Sequence, residues 1–444
     1  MFPDGFEEKM KNLLGGDYPA FAASYALPRN VGLRLNPLKT DAPPDLGRFG
    51  LTSVPWCAEG YCYDPQTRPG LSAYHEAGLY YLQEPSAMAP AALLDAQPGE
   101  RVLDLCAAPG GKSTQLAGQL QGKGLLVSNE IHPKRAQILS QNIERLGISN
   151  ALVLNEPPQR LEGRFDGWFD KILVDAPCSG EGMFRKEQAA VTDWSPETVQ
   201  MCAERQLEIL NTAAKLLKPG GRLVYSTCTF SPEENEGVIA AFLREHPEFA
   251  VEKCEAPWFS PGRPDWVEAP APGLEHTFRL FPHLLRGEGH FAAVLQKTDG
   301  VSGEPKYEPP AKLPTEASVF AKEAGVAIPE GKTVLFGSRV WLSPEELPEI
   351  KGLRVLRAGL ELGECKKNRF EPAHAWALWL KSSGSVHDLR EADPEVLRYL
   401  AGQTLTGSET GWTLIRVDGL SLGWAKGSGG QLKNHYPKGL RRNL

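Results

Sequence analysis

From Arg101 onward, short apolar runs alternate with longer segments whose apolar residues recur every three or four positions. Runs of that length, bounded by turn residues, read as strands buried on both faces of a parallel sheet, and the longer segments as amphipathic helices that cover it. The predicted strands are Arg101–Cys106, Gly124–Asn129, Ala151–Leu154, Lys171–Asp175 and Arg222–Thr227. Helices are predicted to open near Lys112, Pro133, Pro196 and Pro232, three of them with proline where its missing N–H costs nothing, and Ser195 and Ser231 stand as N-caps. On the third helix Cys202, Ile209, Leu210, Ala213 and Leu217 form one stripe, which Pro219-Gly220-Gly221 then ends. The predicted fold class is therefore α/β, with a doubly wound sheet.

The flanks read differently. Residues 1–80 hold a helical start and a strand-like run, Val31–Leu35, that ends in Arg34-Leu35-Asn36-Pro37, which predicts a small N-terminal domain. Through Thr298–Pro314 the composition shifts to Gly, Glu, Lys and Pro, as in a linker. Beyond it lie further short runs (Thr333–Phe336, Val340–Leu342, Arg354–Arg357, Trp412–Val417 and Leu422–Ala425), the mark of small β-containing modules. The division predicted is 1–80, a core over 81–298, a linker over 299–314, and modules over 315–383 and 384–444.

Composition narrows the class. A chain of 444 residues exceeds one core, since domains hold roughly 100–200 residues each. With 41% hydrophobic and 23% charged residues and no apolar run near the ~20 needed to cross a bilayer, a soluble protein is expected. The start mixes Asp4, Glu7 and Glu8 with Lys9 and Lys11, unlike a secretory signal, so the cytoplasm is the expected location. The eight cysteines are scattered, without paired C-x2-C spacing, so neither disulfides nor a metal are expected. A net charge of −7 argues against a polyanionic partner only on average. Lys426, Lys433, Lys438, Arg441 and Arg442 follow one another with no acidic side chain between, and Lys366, Lys367 and Arg369 form a second cluster. On composition alone, both are solvated faces.

The chemistry starts at the first strand, which runs into Cys106-Ala107-Ala108-Pro109-Gly110-Gly111-Lys112-Ser113. A strand, a glycine turn and a helix start present bare backbone N–H groups at the carboxyl edge of a sheet, where open α/β folds bind nucleotide-like ligands. Gly111-Lys112-Ser113 matches the end of a P-loop, but Cys106 stands where its leading glycine belongs. A dinucleotide fingerprint needs G-x-G-x-x-G, which is absent from this turn. S-adenosylmethionine remains, and Glu130, 18 positions beyond Lys112 at the end of the second strand, offers a carboxylate to its ribose hydroxyls.

Cys178 and Cys228 follow the carboxyl ends of the fourth and fifth strands, on the edge that carries this turn, and Asp175 is close by. One buried cysteine is ordinarily inert packing. Two thiols beside a methyl donor suit a specific reaction: carbon 5 of cytosine becomes nucleophilic once a thiolate adds to carbon 6. Asp175, protonated or bridged to the ring, and Lys112 would then stabilise charge at ring nitrogen 3, and a second thiol would serve release. Spacing alone leaves open which thiol attacks.

Asp104-Leu105-Cys106-Ala107-Ala108-Pro109-Gly110-Gly111-Lys112-Ser113, Asp175-Ala176-Pro177-Cys178-Ser179-Gly180 and Ser226-Thr227-Cys228-Thr229 resemble the motifs of the Nol/Nop/Sun RNA cytosine-5 methyltransferases. The likeness extends to Tyr81-Leu82-Gln83-Glu84-Pro85-Ser86, Arg279 and Pro282-His283. It implies a Rossmann-like methyltransferase core, Cys228 as nucleophile, Cys178 in product release, and Asp175 on the target base. It also implies cofactor contacts from Cys106, Ala107, Ala108, Pro109, Gly110, Gly111, Lys112, Glu130, Arg135, Asn155 and Asp175. The third strand departs from the common pattern: Leu154-Asn155-Glu156-Pro157 puts Asn155 where many methyltransferases carry an adenine-contacting acid.

Asn368-Arg369-Phe370-Glu371-Pro372-Ala373-His374-Ala375 and Lys433-Asn434-His435-Tyr436-Pro437-Lys438-Gly439-Leu440-Arg441 resemble the bacterial small-subunit rRNA branch, whose C-terminal modules are similar to PUA-type RNA-binding domains. By that resemblance Lys366, Lys367, Arg369, Lys433, Lys438 and Arg441 contact RNA, and the N-terminal domain over 1–80 is expected to contact it as well. The expected partner is small-subunit rRNA, naked or in the assembled subunit, with the enzyme acting as a monomer. Removing residues 315–444 is expected to weaken RNA binding and leave the cofactor site folded. Two alternatives stand beside this reading: a DNA-type cytosine-5 methyltransferase in which Cys178 attacks, and a non-catalytic RNA-binding assembly factor.

Overall fold

The computed structural model describes residues 2–367 and 369–442; Asn368, part of one RNA-contact motif, lies outside the described residues. Five parallel strands form the centre of the main sheet, in the order Leu217–Thr227, Phe169–Asp175, Arg101–Asp104, Leu125–Asn129 and Ala151–Leu154. Alternate residues feed two separate cores: Val102 and Leu126 pack on one side, Leu103 and Val127 on the other. Helices Gly111–Leu120 and Pro133–Arg145 close the first core with Leu116, Leu120, Leu139 and Ile143. Helices Pro196–Leu216 and Glu236–Glu245 close the second with Ile209, Leu210, Ala213 and Phe242. This is the doubly wound arrangement expected. Strand order reverses between Arg101–Asp104 and Phe169–Asp175, which opens a crevice at their carboxyl ends.

Two element boundaries differ from the sequence expectation. Ser195 caps its helix, accepting from the Thr198 N–H at 3.2 Å, but Ser231 does not: its hydroxyl donates to Glu181 at 2.6 Å, and the helix opens at Glu236. Leu217 leaves the helical stripe and starts the strand that includes Pro219-Gly220-Gly221.

A larger difference concerns the run Arg354–Arg357, expected within a separate module. The strand observed, Val355–Ala358, pairs antiparallel with Ala151–Leu154 and completes the edge of the main sheet. The Arg354 N–H donates to Glu156 Oε1 at 2.7 Å, and its guanidinium lies 3.2 Å from Oε2. Residues 299–314 are not a free tether either, because the Gly303 N–H donates to the Gly167 carbonyl at 3.0 Å and the Ala311 N–H to Thr333 at 2.8 Å.

The N-terminal sheet (Thr52–Val54, Cys57–Cys62, Gly32–Leu35 and Tyr80–Leu82, in that order) shares one apolar cluster with the last sheet of the chain. Leu33, Phe49 and Tyr80 meet Tyr399, Leu422 and Leu432 there, and Arg442 reaches Glu76 at 2.7 Å. The two C-terminal modules share a second cluster, in which Phe320 and Trp376 meet Leu414 and Trp424. The chain's ends are therefore packed on each other, which argues against the expectation that residues 315–444 can be removed without disturbing the rest. Among the described residues no helix is long and apolar enough to cross a membrane.

Candidate active site

The cofactor turn sits at the mouth of the crevice. Backbone bonds from Leu105 to Leu173 (3.0 Å) and from Ala107 to Asn129 (2.8 Å) fix the chain as it leaves the first strand. Gly110 then turns it at φ 111°, a conformation closed to most side chains, so that Gly111 opens the helix. From outside the core, Arg34 grips this helix start, donating to the Gly111 carbonyl at 3.0 Å and to Thr114 at 2.8 Å, while Gln83 orients it at 3.0 Å. Sequence reading noticed the Arg34 motif but not this role, which only a contact across 77 residues reveals. Replacing Arg34 with Met is expected to weaken cofactor binding by about tenfold in calorimetry, ~1.4 kcal/mol. Unchanged affinity would remove Arg34 from the site.

Two observations fit S-adenosylmethionine to this edge. Buried Asp104 gives one oxygen to Ser113 at 2.6 Å, while its Oδ1 has no protein partner and is available to the cofactor's amino group. Burial pushes this carboxyl up to about 7. Glu130, only 3% exposed, accepts from the His132 N–H at 2.9 Å and keeps acceptor capacity for ribose hydroxyls. Arg135 links the two walls, 3.6 Å from Glu130 and donating to the Ala108 carbonyl at 2.8 Å. Asn155 spends its amide on the carbonyls of Glu130 (2.7 Å) and Ile131 (2.9 Å), so it shapes the loop that carries the acid.

Cys178 and Cys228 are brought together, their sulfurs 3.3 Å apart. Hydrogen bonding to Cys228 and burial push the Cys178 thiol well up, so Cys178 keeps its proton at neutral pH. Lys112 lies within electrostatic reach of Cys228 and donates to Asp175 at 2.8 Å. Burial draws the Asp175 carboxyl upward, but Lys112, with Ser226 donating at 2.8 Å, holds it below the usual carboxylate range. This favours the ionised form of Asp175 before a base binds.

Two buried carboxylates, neither anticipated from sequence, clasp the cysteine loops together. Glu234, from the Cys228 loop, accepts from the Ser179 N–H and from Gln206, both at 2.9 Å. Glu181, from the Cys178 loop, accepts from the Phe230 N–H at 2.7 Å and from Trp194 at 2.9 Å. Over the clasp, the N-terminal helices pack Phe6, Met10 and Phe21 on Phe184, Trp194, Phe230 and Phe281. Arg279 braces the far side, paired with buried Glu236 and donating to the Phe230 carbonyl at 2.9 Å.

Burial raises Glu234 from 4.5 to about 7. The folded protein thus holds a proton that the unfolded chain has already released, and the stability this supplies is full below about pH 4.5 and lost as pH rises through about 7. Between about pH 5 and about pH 8, wild type is expected to lose about 2 kcal/mol more unfolding free energy than Glu234→Gln. Parallel pH profiles in denaturant titrations would contradict this.

The six predicted RNA-contact residues are exposed or half-exposed. Lys366 and Arg369 are paired with Glu364 and Glu371 at 2.6 Å each, contacts weak enough in water to yield to a phosphate. Lys367, Lys433 and Lys438 are exposed, and Arg441 donates to the Tyr436 carbonyl at 3.3 Å. Trp412, Lys426 and Lys433 are cross-strand neighbours, and His435 feels both lysines and Glu371, so the two basic clusters border one patch.

Comparison with known proteins identifies relatives of the whole chain. Residues 91–296 match the family described as 16S rRNA methyltransferase RsmB/F, and residues 2–85 match the N-terminal domain of 16S rRNA methyltransferase RsmF. Residues 319–380 match the RsmF first C-terminal domain, and 387–442 the methyltransferase RsmF PUA domain. Ribosomal RNA small subunit methyltransferase F of Erwinia tasmaniensis is 33% identical over 475 residues, covering 100% of this chain and 97% of the relative. The protein of that name from Escherichia coli O81 is 32% identical over 470 residues, with 100% and 97% covered. Among solved structures, a methyltransferase homologue from Pyrococcus horikoshii superposes with a TM-score of 0.58 at 29% identity, over 65% of this chain and 93% of that one. Matched over its full length by these relatives and over most of it by the family's four domain models, the chain belongs to the ribosomal RNA small subunit methyltransferase F family, whose members are S-adenosylmethionine-dependent RNA methyltransferases.

Proposed function

We propose that the protein methylates carbon 5 of a cytosine in small-subunit rRNA, with Cys228 as the attacking thiolate. The observation that carries this reading is the 3.3 Å pair of sulfurs beside the Lys112–Asp175 ion pair, on the edge that holds the Gly110–Gly111 turn. The motif resemblance assigns the attack to Cys228, and its partner Cys178, whose thiol is pushed well up by the hydrogen bond to Cys228 and by burial, suits the role of the protonated neighbour.

In the proposed sequence the Cys228 sulfur bonds to carbon 6 of a base turned into the crevice, and the ring's electrons move toward carbon 5. The Lys112 ammonium, oriented by ionised Asp175, meets the negative charge that develops on the ring. Asp104, Glu130 and the turn would hold S-adenosylmethionine, which would supply an electrophilic methyl group to carbon 5 and leave as the neutral thioether. Loss of the carbon-5 proton to solvent then restores the ring double bond as the carbon–sulfur bond breaks and its electron pair returns to the Cys228 sulfur, and Cys178, in contact with that departing sulfur, assists the release. Residues 1–80, the patch around Lys366, Lys367, Arg369 and Lys433, and the turn that carries Lys438 and Arg441 hold the RNA through its phosphates, which makes affinity fall with salt. The enzyme acts as a monomer in the cytoplasm, on naked rRNA or the assembled subunit.

Bisulfite sequencing of small-subunit rRNA from cells with and without the gene tests the reaction. At least one cytosine should resist conversion only when the gene is present. Identical maps would refute the proposal.

A further inference from the structure

His290 is a buried histidine beside the reaction edge that the mechanism above does not use. It heads the strand His290–Lys297, one step before Phe291, which pairs with Thr227; His290 therefore stands beside position 228. Two residues on, Ala292 pairs with Ser226, which in turn pairs with Asp175, so His290 and Asp175 lie on one face of the sheet. Its ring feels the charges of Lys112 and Asp175.

The state of the ring follows from its neighbours. Ser86 Oγ lies 3.0 Å from His290 Nδ1. The single proton of that hydroxyl goes to Glu84 Oε2 at 2.6 Å, and the same carboxylate also accepts the N–H groups of Ser86, Ala87 and Glu288 at 2.8–2.9 Å. Ser86 Oγ is thus left to accept, from the Gly289 N–H at 3.3 Å and from His290 Nδ1. Nδ1 therefore carries the ring's proton. Burial holds the imidazole neutral, its pKa pushed down to about 3, so with the proton on Nδ1 the Nε2 nitrogen is left as an acceptor.

We propose that His290 Nε2 accepts a hydrogen bond from the exocyclic amine of the target cytosine and so selects cytosine over uracil. A uracil would turn its carbonyl oxygen toward this lone pair, acceptor against acceptor, and lose the bond as well. Removal of the carbon-5 proton is a poor second role for the ring, because so weak a base lies far from the working pH. The inference rests on the cytosine chemistry proposed above.

The test uses full-length Cys178→Ala protein and an RNA fragment containing the mapped cytosine. A second RNA carries pyrimidin-2-one there, a base that lacks the amine but keeps carbons 5 and 6. The readout is the rate of covalent adduct formation. Adding His290→Ala should slow adduct formation with cytosine roughly 10- to 100-fold and with pyrimidin-2-one less than about threefold, with cofactor affinity unchanged in calorimetry. His290→Gln, which keeps an acceptor, should recover part of the loss. Equal slowing with both bases, or no slowing with cytosine, would overturn the proposal. Absence of adduct with either base in the Cys178→Ala parent would instead overturn the covalent chemistry beneath it.

Discussion

Incubated with its RNA and S-adenosylmethionine, Cys178→Ala is expected to stall with RNA covalently attached, while Cys228→Ala forms no adduct and loses methylation by about 10^4-fold or more. The asymmetry follows from the surroundings of two sulfurs only 3.3 Å apart. The hydrogen bond to Cys228 and burial push the Cys178 thiol well up, which leaves Cys228 to attack. Removing the attacking sulfur prevents the carbon–sulfur bond from forming. Removing its neighbour leaves that bond intact and slows only its breakage. Denaturing gels and methyl-transfer rates for the two variants check this, and a reversal of the two outcomes would assign the attack to Cys178.

A chain ending at residue 314 is expected to lose far more than RNA affinity. It lacks Val355–Ala358, the strand that covers the edge of Ala151–Leu154, and it exposes the face of the N-terminal sheet that packs on the last module. Leu33, Leu46, Phe49, Leu79 and Tyr80 are each at most 6% exposed in that cluster. At about 1.5–3 kcal/mol for each buried apolar side chain, uncovering them costs about as much as the whole stability of an ordinary domain, about 5–15 kcal/mol. The truncated protein should aggregate, or melt at least about 10 °C lower with weakened cofactor binding. A monodisperse product with native cofactor affinity would show that the modules are separable after all.

What the sequence made legible was local. The five parallel strands, the glycine turn, Glu130 and both cysteines each follow from a run of residues whose pattern fixes its own conformation. Where two runs look alike, the sequence was silent about their partners: Val355–Ala358 reads like any short strand, and only its pairing with Ala151–Leu154 assigns it to the core. Ser231-Pro232 carried a sound capping signal, and tertiary contact overrode it, because the Ser231 hydroxyl is worth more to buried Glu181 than to a helix end. Arg34, Glu181 and Glu234 act on the site across the chain, and no spacing rule connects them to it. For His290 the missing information was finer still, since its tautomer depends on where the proton of Ser86 goes.

The most direct test of the central claim is peptide mass spectrometry of the complex trapped with Cys178→Ala, after nuclease and protease digestion. The mass of a 5-methylcytidine nucleotide should be attached to the peptide that contains Cys228, at that residue. A nucleotide attached elsewhere, or a Cys228 peptide that remains unmodified while methylation proceeds, would contradict it.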